Sequence, residues 1–148
     1  MKLLDTNATA EFIATEYKGA KKIVEVMVGH HPWVARAVKK HMPNTEVVIV
    51  DRHQEKICPV GQQLELRSIK DDILNPNMEI YEGARLIYAI RPPEETLPYV
   101  YDLAAKVGAD VLVRPLTDVD GTFYYPAKDG WHQVSYKRSN FWLLKRTT

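Results

Sequence analysis

The sequence predicts an α/β fold: a Rossmann-like, mostly parallel sheet with helices on both faces and a C-terminal antiparallel hairpin. Three observations carry this reading. Short, β-branched apolar runs recur at Lys22–Val28, Glu46–Val50, Ala84–Ile90 and Asp110–Val113, and continuous apolar runs of that length suit strands buried on both faces. Helix-period segments, Pro32–His41 and Pro92–Val107, alternate with them. The end of the chain then changes to two strand-like stretches around a short turn, the signature of a hairpin. Strand and helix in that order give a parallel sheet with an antiparallel edge, and right-handed crossovers put helices on both faces.

Each element has a local reason. Thr9–Lys18 is predicted helical because Phe12, Ile13 and Tyr17 recur at helical spacing, with Thr6 or Asn7 as the cap. Gly29 breaks the first strand, Lys22–Val28. The helix Pro32–His41 follows, with Val34, Ala35 and Val38 on one side and Pro32 where a first turn tolerates it. Glu46–Val50 ends in Asp51. Leu64–Ile69 alternates and reads as a shorter, more exposed strand. Asp71–Gly83 reads as a loop with one helical turn. After Ala84–Ile90, Pro92 and Pro93 open a helix whose first turn carries Glu94 and Glu95, where acids favour the helix dipole. Gly108 ends that helix. The hairpin is expected from Trp131–Arg138 and Phe141–Arg146, with Ser139-Asn140 as its turn, and Pro115–Gly130 is the one long irregular stretch near the sheet edge.

Composition narrows the function classes. The chain has 148 residues, one domain's worth and enough to bury a core without cross-links. A net charge of +1 argues against a nucleic-acid coat, although it is compatible with a local basic patch. Cys58 is the one cysteine, so neither a disulfide framework nor a cysteine zinc site can be built within the chain; it is read as structural. The stretch Met1–Ala10 lacks the apolar core of a signal peptide, and no window approaches the ~20 apolar residues that span a bilayer. The expected location is therefore the cytoplasm, with no membrane partner.

In an open α/β sheet, ligands bind beyond the carboxyl ends of the strands. Those ends carry Glu25 and then Met27-Val28-Gly29-His30-His31, Asp51-Arg52-His53, Asp71-Asp72, Arg91-Pro92-Pro93-Glu94, and Arg114-Pro115. The two oxygens of Asp51 can accept both ribose hydroxyls, and its distance from Gly29 matches the ~20 residues between loop and acid in dinucleotide binders. The alternative is that Gly29 only makes the turn and Glu25 only balances a lysine or backbone groups. Arg91 and Arg114 end neighbouring strands beside a helix N-terminus, an arrangement suited to phosphate or carboxylate. Alternatively they pair with Glu94, Glu95, Asp118 or Asp120. His30, His31 and His53 are metal-ligand types, but adjacent histidines on a turn diverge and no H-x-x-x-H pair exists, so no metal is expected; a solvated or acid-paired role is the alternative. Serine-hydrolase and P-loop motifs are missing. Trp131, Tyr136, Phe141 and Trp142 are expected to pack the sheet edge or an interface.

The first of these segments resembles the opening motif of S-adenosylmethionine-dependent methyltransferases: an acid in the first strand, alternating glycines, and an acid ending the second strand. Glu25, Gly29 and Asp51 match it, whereas Met27 and His31 occupy glycine positions. The resemblance gives Asp72 the place of an acid that contacts the adenine amino group; the alternative is a loop acid capping the next turn. Arg91-Pro92-Pro93-Glu94 falls where some amino-methyltransferases carry an Asp- or Asn-Pro-Pro-aromatic motif. Arg91 and Glu94 replace its outer residues, so that activity is not carried over. From about Glu11 to Arg146 the chain also resembles the archaeal Uncharacterised Protein Family 146. The segments that carry this resemblance are IVEVMVGHHPWVARA (23–37), DDILNP (71–76), IYEG (80–83), LIYAIRPPE (86–94) and DVLVRPL (110–116). It implies a methyltransferase-type fold in an archaeal cytoplasmic protein and no established activity.

The expectation is thus a methyltransferase-like domain that binds S-adenosylmethionine or a related nucleoside or nucleotide through Glu25, Gly29, His30, Asp51, Asp72, Arg91 and Arg114. Glu94 and His30 are candidate bases, and no catalytic residue is assigned. A second expectation is a non-enzymatic, degenerate Rossmann module that senses a nucleotide or serves in an assembly, with the aromatic hairpin as a homo-oligomer surface. A third is a nicotinamide-dependent enzyme, which Asp51 permits but which lacks its G-x-G-x-x-G.

Overall fold

The computed structural model describes residues 6–53, 66–115 and 130–146. In chain order the elements are α1 (Thr6–Glu16), β1 (Lys22–Val26), α2 (Trp33–His41), β2 (Glu46–Asp51), β3 (Arg67–Lys70), β4 (Leu86–Ile90), α3 (Leu97–Val107), β5 (Asp110–Arg114), β6 (Trp131–Tyr136) and β7 (Ser139–Leu144). Short 3-10 turns occupy Met78–Ile80 and Glu94–Thr96. The strands form one sheet in the order β3-β2-β1-β4-β5-β7-β6. The first five run parallel, and β7 is antiparallel to both of its neighbours. Strand order reverses between β1 and β4, so the crevice beyond their carboxyl ends is the topological switch point.

Alternation along β1 sorts the core. Ile23 faces the layer of α1 and α2, where it belongs to one apolar cluster with Ile13, Val38, Leu86 and Phe141. Val24 and Val26 face the other way, with Val100 and Leu103 of α3. The same alternation runs through β2, β4 and β5, which is why these runs read as continuous apolar stretches: both faces are covered. The faces of α2 and α3 that meet the sheet are Val34, Ala35 and Val38, and Val100, Leu103 and Ala104.

Several boundaries move. The first helix begins at Thr6 and ends at Glu16, so Thr6 and Asn7 lie in its first turn rather than capping it. The first strand stops at Val26, because Met27 turns to a left-handed φ of 56°. The third strand starts at Arg67, and the prolines at 92 and 93 lead into a 3-10 turn before α3 begins at Leu97. In the hairpin the expected Ser139-Asn140 turn is displaced: Ser139 pairs with Tyr136, and Lys137, at a φ of 55°, makes the reversal with Arg138. Ser139 is held in strand by the Thr9 hydroxyl, 2.7 Å from its own. The expectations for Cys58, Asp118 and Asp120 lie outside the described residues.

The hairpin aromatics do pack the sheet. Phe12 of α1 sits 4.8 Å from the Phe141 ring and meets Tyr136 edge-on at 5.7 Å, geometries aromatic pairs favour. Buried Asp110, at the start of β5, accepts the Tyr17 hydroxyl at 2.7 Å and the Arg146 amide at 2.8 Å. One carboxylate therefore fastens α1 and the end of β7 to the centre of the sheet. Among the described residues no helix is long and apolar enough to cross a membrane.

Candidate functional site

The crevice is built around Asp51. Its side chain is buried at the end of β2, where Oδ2 accepts the Gly29 amide at 2.8 Å and Oδ1 accepts the His53 amide at 3.0 Å. Its main-chain oxygen accepts the amide of Asp71, which starts the next loop. Two bonds leave a carboxylate with spare lone pairs, since its two oxygens offer about four acceptor positions. Asp51 thus holds the glycine turn in place and keeps capacity for a ligand hydroxyl. Gly29, at a φ of 68°, takes the left-handed conformation that glycine adopts without strain.

A cavity of about 530 Å³ opens here, within the size range of small-molecule sites. Its floor is the ends of β1 and β2 at Val26, Met27, Gly29 and Asp51; its far wall is the loop Asp71–Leu74 together with Glu95, Thr96 and Tyr99. Leu74 and Tyr99 are the two exposed large apolar side chains among the described residues, at 51% and 46%, and both line this cavity. The loop is rigidly tied. Asp71 accepts the Tyr81 hydroxyl at 2.6 Å and the Asn77 amide, and Asp72 accepts the Leu74 amide at 2.9 Å. Asp72 therefore caps its turn and lines the cavity as well. Burial and the Asp71 carboxylate push the Tyr81 hydroxyl far above its ordinary pKa, so it stays a donor.

A second, smaller cavity of about 170 Å³ lies across the β1–α2 turn, on the side of α1 and α2. Glu25, His30, His31, Trp33 and Arg91 line it, with Thr6 at the start of α1. The His31 and Trp33 rings stack at 4.5 Å. Glu25 is only 3% exposed, and the groups that favour its charged form are the hydroxyl of Tyr88, its register neighbour on β4, and the Ala35 backbone. Burial pushes the Glu25 carboxyl up to about 8, so at neutral pH it is largely protonated.

The sequence-derived site residues are therefore divided. Gly29, Asp51 and Asp72 meet in the larger cavity; Glu25, His30 and Arg91 meet in the smaller. Arg114 lines neither. Its backbone oxygen accepts the Arg91 amide at 2.6 Å, while its guanidinium folds back to the Pro115 carbonyl at 2.7 Å. Glu94 lines neither cavity, whereas Glu95 lines the larger. Sequence reasoning passed over Leu74 and Tyr99. Tyr99 had a signal: it falls outside the stripe of Val100, Leu103 and Ala104 that α3 buries, so an aromatic there serves something other than the core.

Comparison with known proteins agrees with this architecture. The model of the Uncharacterised protein family (UPF0146) matches residues 6–146. A UPF0146 protein of Archaeoglobus fulgidus is 37% identical over 137 residues, covering 93% of this chain and 92% of that protein. Another from Methanocaldococcus jannaschii is 36% identical over 115 residues, with 76% and 81% covered. Among solved structures, an O-methyltransferase family protein from Burkholderia thailandensis superposes with a TM-score of 0.60 at 13% identity, over 97% of this chain and 58% of that one. SAM-bound CalS10, an amino pentose methyltransferase from Micromonospora echinaspora, gives 0.60 at 10% identity, with 90% and 58% covered. The plantazolicin methyltransferase BpumL in complex with SAH gives 0.58 at 13% identity, with 77% and 46% covered. Identities this low speak for the fold alone, and the chain spans about half the length of those three methyltransferases.

Proposed function

From a chain that belongs to the UPF0146 family and folds as methyltransferases do, we propose a nucleoside-binding domain whose ligand is S-adenosylmethionine or a related nucleoside or nucleotide. One observation carries it. The larger cavity is lined by both a buried carboxylate, Asp51, and the exposed apolar pair Leu74 and Tyr99, the mixed polarity that a nucleoside with a hydroxylated sugar and a flat base would match. In this reading Asp51 accepts ribose hydroxyls, Tyr99 and Leu74 cover the base, and Asp72 sits near its polar edge. Arg91 and His30 lie across the turn in the smaller cavity, and Arg114 supports Arg91 through its backbone. The methyltransferase structures with SAM or SAH bound make S-adenosylmethionine the first ligand to try. If methyl transfer occurs, the protein's share is to position the acceptor, with Glu94 and His30 as candidate bases.

Calorimetric titration with S-adenosylmethionine, S-adenosylhomocysteine, adenosine, AMP and NAD tests this. At least one should bind, and Asp51→Ala should weaken it by about 1–3 kcal/mol, the scale of hydrogen bonds to a charged group. Tyr99→Ala is the cleaner variant, because its half-exposed ring can be removed without opening the core. It should cost about 1–3 kcal/mol in binding, as lost base stacking does, with an unchanged melting temperature. Silence from all five ligands would reject the reading.

A second reading, a non-catalytic module within an assembly, has one observation in its favour: β6 is an edge strand of the sheet, and an open edge can pair with another chain. Light scattering decides it. A dimer that Val134→Pro, in the middle of β6, converts to monomer supports pairing through the hairpin; a monomer at all concentrations removes it.

A further inference from the structure

Among the described residues, three that are not glycine hold a left-handed φ: Met27 at 56°, Arg91 at 55° and Lys137 at 55°. Lys137 makes the hairpin turn. The other two directly follow β1 and β4, the adjacent central strands at the switch point. Strain of that kind persists only where the surrounding structure enforces it, and it gathers at functional sites. At position 27 the backbone has the conformation of glycine while the side chain is a thioether.

That side chain has a definite place. Met27 lines the larger cavity and packs against the apolar cluster that includes Val26 and Val50. The two cavities share no lining residue: Met27 and Gly29 border the larger, while Val28 and His30 border the smaller. A ligand held by Asp51 can reach Arg91 or Glu25 only by crossing the turn between them, and Met27 stands on the nucleoside side of that crossing. We infer that Met27 is a specificity-determining residue that closes the larger cavity to an extended 5′ substituent, so that the preferred ligand is a compact nucleoside such as adenosine. This rests on the nucleoside reading above and narrows it. Met27→Gly would remove the thioether from the wall of the larger cavity and relax the backbone in one change, because glycine takes a positive φ without steric cost.

The test compares adenosine with S-adenosylhomocysteine, two ligands that share a nucleoside and differ in the 5′ chain. Each is titrated into wild type, Met27→Gly and Met27→Leu. Wild type should bind adenosine at least about tenfold more tightly, a difference that calorimetry resolves easily. Met27→Gly should reduce that ratio by about tenfold or more through gained affinity for S-adenosylhomocysteine, and Met27→Leu, which keeps the bulk, should hold the wild-type ratio. Equal or tighter binding of S-adenosylhomocysteine by wild type overturns the inference. So does an adenosine preference that Met27→Gly leaves unchanged; the nucleoside reading then survives. Should neither compound bind any of the three proteins, the nucleoside reading falls and the inference falls with it.

Discussion

Glu25 gives the domain an unusual response to pH. Its carboxyl ionises near 8 in the folded protein because it is buried, and near its ordinary value of 4.5 when the chain unfolds. Between those values the folded state holds a proton that the unfolded state has released. The stability linked to that proton is complete below pH 4.5 and is lost as pH rises to about 8, with a slope approaching ~1.4 kcal/mol per pH unit for one such group. Glu25→Gln, which cannot ionise, should match wild type near pH 5 and exceed it near pH 8 in urea unfolding; parallel curves across that range would mean the carboxyl is already charged when folded. The sequence pointed to Glu25 as the acid of a strand-turn motif, but not to its separation from Asp51. Strand alternation puts both acids on the side of the sheet that Ile23 and Ile49 share; the deciding fact, that Met27 ends the strand two residues early, depends on a backbone angle that residue type alone does not announce.

The elements were easier to foresee than their joints. Lys22–Val26, Glu46–Asp51, Leu86–Ile90 and Asp110–Arg114 are strands, as their β-branched runs indicate, because each is buried on both sides. The hairpin turn was misplaced because Ser139-Asn140 has suitable turn chemistry, whereas the contact that overrides it, Thr9 against Ser139, joins residues 130 positions apart. Asp110 is a joint of the same long-range type. Asp110→Ala would strand the buried Tyr17 hydroxyl and the Arg146 amide, so it should lower stability by about 1–3 kcal/mol. If the bonds act as supposed, Tyr17→Phe should cost clearly less when combined with Asp110→Ala than in wild type, and strict additivity would dissolve the link. Gly108 ends α3 at a φ of 75°, its amide reaching back to Ala105 at 3.4 Å. Gly108→Ala should cost about 1 kcal/mol in thermal melting, because alanine resists that angle.

Taken together, the strands make a sheet whose centre and edges differ sharply in protection. The inward residues of β1, β4 and β5 are almost all fully buried, whereas β3 at one edge and β6 at the other alternate between exposed and half-buried positions. Amide exchange should follow that gradient, with β1 and β4 opening only on global unfolding and β3 and β6 well before. Uniform protection across the sheet would contradict it. The mostly parallel architecture was legible because alternating strand and helix permit few topologies. Strand order at the antiparallel end was not, since nothing in the hairpin's sequence says which of its strands meets β5.

That order bears on how the protein is made. The strand beside β5 is β7, the later of the pair, while β6 takes the outside. During synthesis, β6 emerges with no partner to receive it, and the flank of β5 stays bare until residues 139–144 leave the ribosome. Apolar Val111 and Leu112 lie along that bare flank, which makes the nascent chain a client for chaperones at a late and narrow moment. A chain halted on the ribosome before residue 139 should stay protease-sensitive, and one extended past 146 by a tether long enough to clear the exit tunnel should resist.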